Sequence, residues 1–154
     1  MWLRFRSTVH HKLCPYKTFS GYSCNLINAL TAFKRMKNIY LLEDDHDITE
    51  LVAYLAAETG LPMLTHSTIA SLRLSLATAL PDLFILDVML PDGSGLDVCR
   101  SLKSDAVTSQ IPILMMSAHA NGASLSKAAG ADDFIAKPFD INDFTEKLQY
   151  RVVS

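Results

Sequence analysis

The feature that most constrains this chain is residues 83–86, Leu83-Phe84-Ile85-Leu86, closed by Asp87. A strand that is apolar at every position has both faces covered, which places it in the middle of a mostly parallel sheet with helices on either side. The theme recurs from Ile39 onward. Residues 39–42 and 113–116 are similar apolar runs, 134–136 is a shorter one, and 61–65 contains Pro62. Proline cannot donate to a ladder, so this second strand belongs at a sheet margin. Between the runs, apolar residues recur at helical spacing: Ile48, Leu51, Val52 and Leu55; Ile69, Leu72, Leu76 and Leu80; Gly95, Val98, Cys99 and Leu102; Ile141, Phe144 and Leu148. Each is the stripe of a helix packed on a sheet. Residues 122–129 form a short, weakly encoded helix. Asp47 with Glu50 gives the first helix a capping-box-like start, Gly60 ends it, and Asp140 caps the last helix. Five strands alternating with five helices through short connections predict a doubly wound α/β fold.

Composition separates the chain into two parts. Residues 1–35 carry six Lys or Arg and no acid; from Met36 onward there are eight basic and sixteen acidic residues. The acidic part disfavours direct nucleic-acid binding. The basic leader has no sustained period apart from a short helical stretch over 26–36, and its Arg-rich, acid-free make-up is also that of an organellar transit peptide. The preferred reading is a functional start at Met36, with residues 1–35 an extension lacking its own fold and 36–154 the domain. No apolar run approaches the about 18 residues of a spanning helix, so no membrane association is expected. Three cysteines, at 14, 24 and 99, suit neither a disulfide framework nor a zinc site and point to a reducing, cytoplasmic setting.

Ligands of doubly wound sheets bind at the carboxyl edge of the strands. There the sequence delivers Glu43 and Asp44 after strand one, Asp87 after strand three, Ser117 after strand four and Lys137 after strand five. Singly, an Asp or Ser in such a place is most often a turn or cap residue. Together, three carboxylates on one rim raise one another's pKa values unless cations relieve them. The Lys137 ammonium and a hard metal do so, and oxygen-only ligands with positions left to water suit Mg²⁺.

These residues resemble the receiver domains of two-component response regulators, of the CheY-like type. The resemblance runs from about Asn38 to Leu148 and rests on LLEDD at 41–45, DVMLPDGSG at 87–95, MMSAHA at 115–120 and DDFIAKPF at 132–139. It implies a flavodoxin-like strand order 2-1-3-4-5, with Asp87 as phosphoacceptor, Glu43 and Asp44 as the acidic pair, and Lys137 and Ser117 as the groups that meet the phosphoryl group. It further implies Mg²⁺ held by Asp44, Asp87 and the Met89 backbone carbonyl with Glu43 acting through water, and Phe134 as the switch aromatic. A cis Lys137-Pro138 bond is also implied. Met89, Ala118 and His119 flank the approach to the phosphoryl group and are expected to tune its lifetime. The implied partners are a sensor histidine kinase or histidine phosphotransfer protein and a downstream protein docking on the face of helix four, strand five and helix five. The chain's end shortly after the last helix suggests a stand-alone receiver; a phosphorelay intermediate, a phosphate sink or a fragment of a larger regulator are the alternatives.

The segment 121–130 carries Gly and Ser where the resemblance implies a stronger helix, and the Ser117-to-Lys137 spacing is slightly short. Asp45 is read as a surface or capping acid, Cys99 as a small core residue, and His46, His66 and His119 as solvated loop histidines without metal-ligand spacing. Two rival classes fail on single residues. A haloacid-dehalogenase-type phosphatase needs an acid two positions after its nucleophile, where this chain has Met89. A flavodoxin-type cofactor module needs a Gly- and hydroxyl-rich loop after strand one, where Glu43, Asp44 and Asp45 repel phosphate.

Overall fold

The computed structural model describes residues 37–153; the helix expected over 26–36 lies outside the described residues. Five parallel strands, β1 (Ile39–Leu42), β2 (Met63–His66), β3 (Leu83–Asp87), β6 (Ile113–Ser117) and β7 (Asp133–Ala136), form a sheet of order β2-β1-β3-β6-β7. Two further strands, β4 (Met89–Leu90) and β5 (Gly93–Ser94), pair antiparallel in a small hairpin just beyond β3. The helices are α1 (His46–Glu58), α2 (Ile69–Leu76), α3 (Gly95–Ser104), α4 (Gly122–Ala128) and α5 (Ile141–Val153). Numbered without the hairpin, the sheet has the 2-1-3-4-5 order expected.

The two-residue period of the strands divides their apolar side chains between two cores. Tyr40, Leu42, Phe84, Leu86, Ile113 and Met115 meet Ile69 and Leu72 of α2 and Val98, Cys99 and Leu102 of α3. Ile39, Leu41, Leu83, Ile85, Leu114 and Met116 meet Val52, Leu55 and Ala56 of α1 and Phe144 and Leu148 of α5. Every residue of β3 and β6 is buried, whereas β2 lies at the margin with Leu64 and Thr65 exposed. Each fully buried Leu, Ile or Phe contributes about 1.5–3 kcal/mol relative to exposure, so the central strands carry much of the fold's stability.

Several local expectations are corrected. Asp45, not Asp47, caps α1: its Oδ1 accepts the Asp47 and Ile48 amides at 2.9 and 3.1 Å. Asp45 stands immediately before the first helical residue, His46, and Asp47 falls inside the first turn. Helix α2 stops at Leu76, four residues before Leu80. Leu51 and Ile141 lie on the apolar stripes yet are 38% and 50% exposed. Asp140 does cap α5, accepting the Asn142 and Asp143 amides. Cys99 is buried as expected, and its thiol is pushed up to about 11 by burial. His66 is not a solvated loop histidine: it ends β2, is buried, and sets its ring edge-on to Tyr40 at 5.3 Å. Burial lowers its pKa below the ordinary value.

Candidate functional site

Register assembles the site. Leu42 pairs with Leu86, Asp87 with Met116 and Ser117 with Ala136. The residues just past these pairs, Glu43 and Lys137, therefore emerge on the same rim as Asp87 and Ser117. Backbone bonds extend the ladders over that rim: the Glu43 amide donates to the His66 carbonyl at 2.9 Å, and the Lys137 amide to the Ser117 carbonyl at 2.8 Å.

The side chains converge as the sequence suggests. Lys137 Nζ donates to Glu43 Oε2 at 2.5 Å and to Asp87 Oδ1 at 2.8 Å, joining residues 94 and 50 positions apart. The second Asp87 oxygen, Oδ2, accepts the Met89 amide at 3.0 Å. Ser117 is buried, and its Oγ accepts the His119 amide at 3.1 Å, which leaves its own proton available for donation. Glu43, Asp44, Asp87, Met89, Ser117, Ala118, His119 and Lys137 all line one cleft of about 350 Å³. Asp45, read from sequence as a surface or capping acid, and Ile48, read as a helix-stripe residue, line it too. The bond before Pro138 is cis, as expected.

Phe134 stands apart from the cleft, half-buried against the α2–α3 core. It is connected to Ser117 through Gly122. A β-carbon at Gly122 would lie 2.8 Å from the Phe134 ring and 3.1 Å from Ser117 Cβ, so the glycine lets the first residue of α4 fit between them. From the sequence, Gly122 stands only as part of a weakly encoded helix. The signal was its place five residues after Ser117, which the short loop turns into contact.

Charge in the cleft is unbalanced. Burial lifts the Glu43 carboxyl above its ordinary value, and the Asp87 charge adds to this while Lys137 pulls against it. For Lys137, burial opposes the charged form, but the bonds and charges of Asp87 and Glu43 outweigh it and hold the ammonium above the ordinary lysine value. One ammonium thus serves two acids. Glu43, Asp44 and Asp87 also present carboxylate oxygens within 4.8 Å of one another. Hard anionic oxygens this close fit Mg²⁺, and Asp44, which is exposed, opens the cluster to water.

The strand order is that of a CheY-like receiver domain, and these groups gather at the sheet's carboxyl edge. The family model of the response regulator receiver domain matches residues 39–149, and the chain belongs to that family. It is 33% identical over 116 residues to the KDP operon transcriptional regulatory protein KdpE of Escherichia coli, covering 74% of this chain and 50% of that protein. It is 32% identical over 115 residues to the phosphate regulon transcriptional regulatory protein PhoB of Klebsiella pneumoniae, covering 73% and 50%. The chain spans about half the length of these curated relatives. Among solved structures, a response regulator from Chloroflexus aurantiacus aligns with a TM-score of 0.74 at 22% identity, covering 78% of this chain and 100% of that one, which shows the fold. The receiver domain of NtrX from Brucella abortus aligns at 0.69 with 27% identity, covering 75% and 98%.

Proposed function

We propose that this domain accepts a phosphoryl group on Asp87 from the phosphohistidine of a sensor histidine kinase or histidine phosphotransfer protein, in the cytoplasm, and signals through a packing change. The observation that carries the reading is the bridge from Lys137 to both Glu43 and Asp87 beside a cluster of three close carboxylates. An Asp87 oxygen forms the new bond to phosphorus as the phosphorus–nitrogen bond of the donor breaks and its electron pair returns to the imidazole. Asp87 acts as an anion, so the step needs no general base. Lys137 holds the aspartate before transfer and neutralises phosphoryl oxygens during it, while the Ser117 hydroxyl donates to one of them. Asp44, Asp87 and the Met89 carbonyl, with Glu43 through water, would hold a Mg²⁺ ion, which would supply further charge stabilisation at those oxygens.

After transfer, Asp87 carries added charge and acceptor oxygens. Ser117 moves toward them, and its displacement reaches Phe134 across Gly122, so that the ring repacks and alters the face of α4, β7 and α5 where a downstream protein docks. Met89, Ala118 and His119 border the cleft and set how water reaches the acyl phosphate. The receiver unit on this reading is residues 36–154, with 1–35 an extension. The test is incubation of wild type and Asp87→Asn with acetyl phosphate and Mg²⁺ followed by intact-mass measurement. An adduct of about 80 daltons, one phosphoryl group, is expected on wild type alone; the same adduct on the variant contradicts the assignment.

A further inference from the structure

The β4–β5 hairpin is tied to both the cleft and a distant helix. At its near end, the Met89 amide donates to Asp87 Oδ2 at 3.0 Å, so the position of the hairpin orients the Asp87 carboxylate. Its strands pair Met89 with Ser94 and Leu90 with Gly93. At its tip, Asp92 reaches α2: Oδ1 accepts the Ile69 amide at 3.0 Å and Oδ2 the Ala70 amide at 3.1 Å. The neighbouring Gly93 has φ +153° and lies so close to the Ile69 side chain that a β-carbon would come within 2.8 Å of its Cδ1. Helix α2 already has a local cap, Thr68 Oγ1, which accepts the Ser71 amide at 3.2 Å. Asp92 therefore satisfies the two remaining amides of the first turn from a position 22 and 23 residues away.

A carboxylate accepting two main-chain amides through separate oxygens fixes both its distance and its orientation to the helix. A two-residue-per-strand hairpin has no stability of its own, so its position depends on its anchors. We propose that Asp92 is a positioning residue of the phosphoacceptor cleft: by fastening the hairpin tip to the start of α2, it sets the Met89 backbone against Asp87 and so determines metal affinity and phosphoryl loading. This rests on the reading of the cleft given under Proposed function, since it assigns Met89 and Asp87 their parts there. Asp92 itself touches neither metal nor phosphoryl group. Its influence runs through the hairpin, as the partners of first-sphere ligands tune metal sites.

The experiment compares wild type, Asp92→Ala, Asp92→Asn and Thr68→Ala. Thr68→Ala removes a cap of the same helix without touching the hairpin, and so reports what loss of helix capping alone does. Mg²⁺ affinity is measured by calorimetry on unphosphorylated protein, and amide hydrogen exchange is followed at Ile69, Ala70, Ser71 and Met89. Asp92→Ala is expected to weaken Mg²⁺ binding about tenfold, to slow adduct formation with acetyl phosphate, and to speed exchange at Ile69, Ala70 and Met89. Asp92→Asn, which keeps an amide oxygen as acceptor, is expected to recover part of the affinity. Thr68→Ala is expected to speed exchange at Ser71 and leave Mg²⁺ affinity unchanged. Equal affinity in wild type and Asp92→Ala, or equal loss in Asp92→Ala and Thr68→Ala, overturns the positioning role while leaving the reading of the cleft intact. Absence of Mg²⁺ binding by wild type overturns that reading and this inference together.

Discussion

The two edges of the sheet use charge in opposite ways. At the amino edge Asp82 and Asp132 are each matched to donors. Asp82 Oδ2 accepts the Asn38 amide at 2.8 Å ahead of β1. Asp132 Oδ2 accepts the Ile113 amide at 2.8 Å and pairs with Lys103 Nζ at 2.7 Å, and Lys103 donates onward to the Ser109 and Ile111 carbonyls. These groups tie strand starts to neighbouring loops. At the carboxyl edge, Glu43 and Asp87 share Lys137 with Asp44 clustered beside them, and the Glu43 and Asp87 side chains are only 2% and 10% exposed. An edge with matched partners adds stability; an edge with surplus anions gives up stability and keeps negative charge with which to bind a cation. The same residue types thus act structurally or chemically according to whether their charges are balanced.

Exchanging the two lysines for alanine separates these roles. Lys137→Ala is expected to cut the rate of adduct formation with acetyl phosphate by about 10²–10³-fold, the loss typical of one charge-stabilising donor in a transfer site. Lys103→Ala is expected to leave that rate unchanged per folded molecule and to cost about 2 kcal/mol of stability in urea unfolding, because Asp132 and two carbonyls lose a charged donor. Comparable slowing in both variants would break the distinction between the edges.

A smaller effect is expected of Glu43→Gln in the absence of metal. Because the Glu43 carboxyl is raised by burial, the folded protein holds this proton to higher pH than the unfolded chain does. The stability this gives is present below the ordinary value of 4.5 and is lost as pH rises through the raised value. Glutamine does not titrate. Its melting temperature is therefore expected to match wild type in acid and to exceed it near neutrality, by about 4 °C for a gain on the order of 1 kcal/mol. Saturating Mg²⁺ is expected to narrow the gap, since ligand binding favours the folded form with the better site. A lower melting temperature in the metal-free variant at neutral pH would show that the carboxyl edge is as well balanced as the amino edge.

Most of the sheet was legible because β1, β3 and β6 are apolar on both faces, a pattern few other environments tolerate. The rim residues were legible for a related reason: parallel strands end on one side, so a polar residue after each run marks a common edge. What escaped depends on contacts between segments far apart in sequence. His66 looked like a loop residue because strand β2 is short and marginal, and only the fold shows Tyr40 beside it. Leu51 and Ile141 have the spacing of core residues, but their helices turn those positions outward. The hairpin is too short for a periodic signal, although Pro91-Asp92-Gly93 between Met89-Leu90 and Ser94 is turn chemistry. Nothing local to Asp92 discloses the two amides of α2 that it accepts.

The central claim is that Asp87, among the three clustered acids, takes the phosphoryl group. An acyl phosphate, unlike a free carboxylate, is reduced by borohydride to the alcohol, so an aspartyl phosphate is converted to homoserine at the modified position. Wild-type protein loaded with acetyl phosphate and Mg²⁺, reduced, digested and sequenced by mass spectrometry is expected to carry homoserine at position 87 and aspartate at 44. Homoserine at 44, or no homoserine at 87 in protein that has gained the phosphoryl mass, would contradict the account.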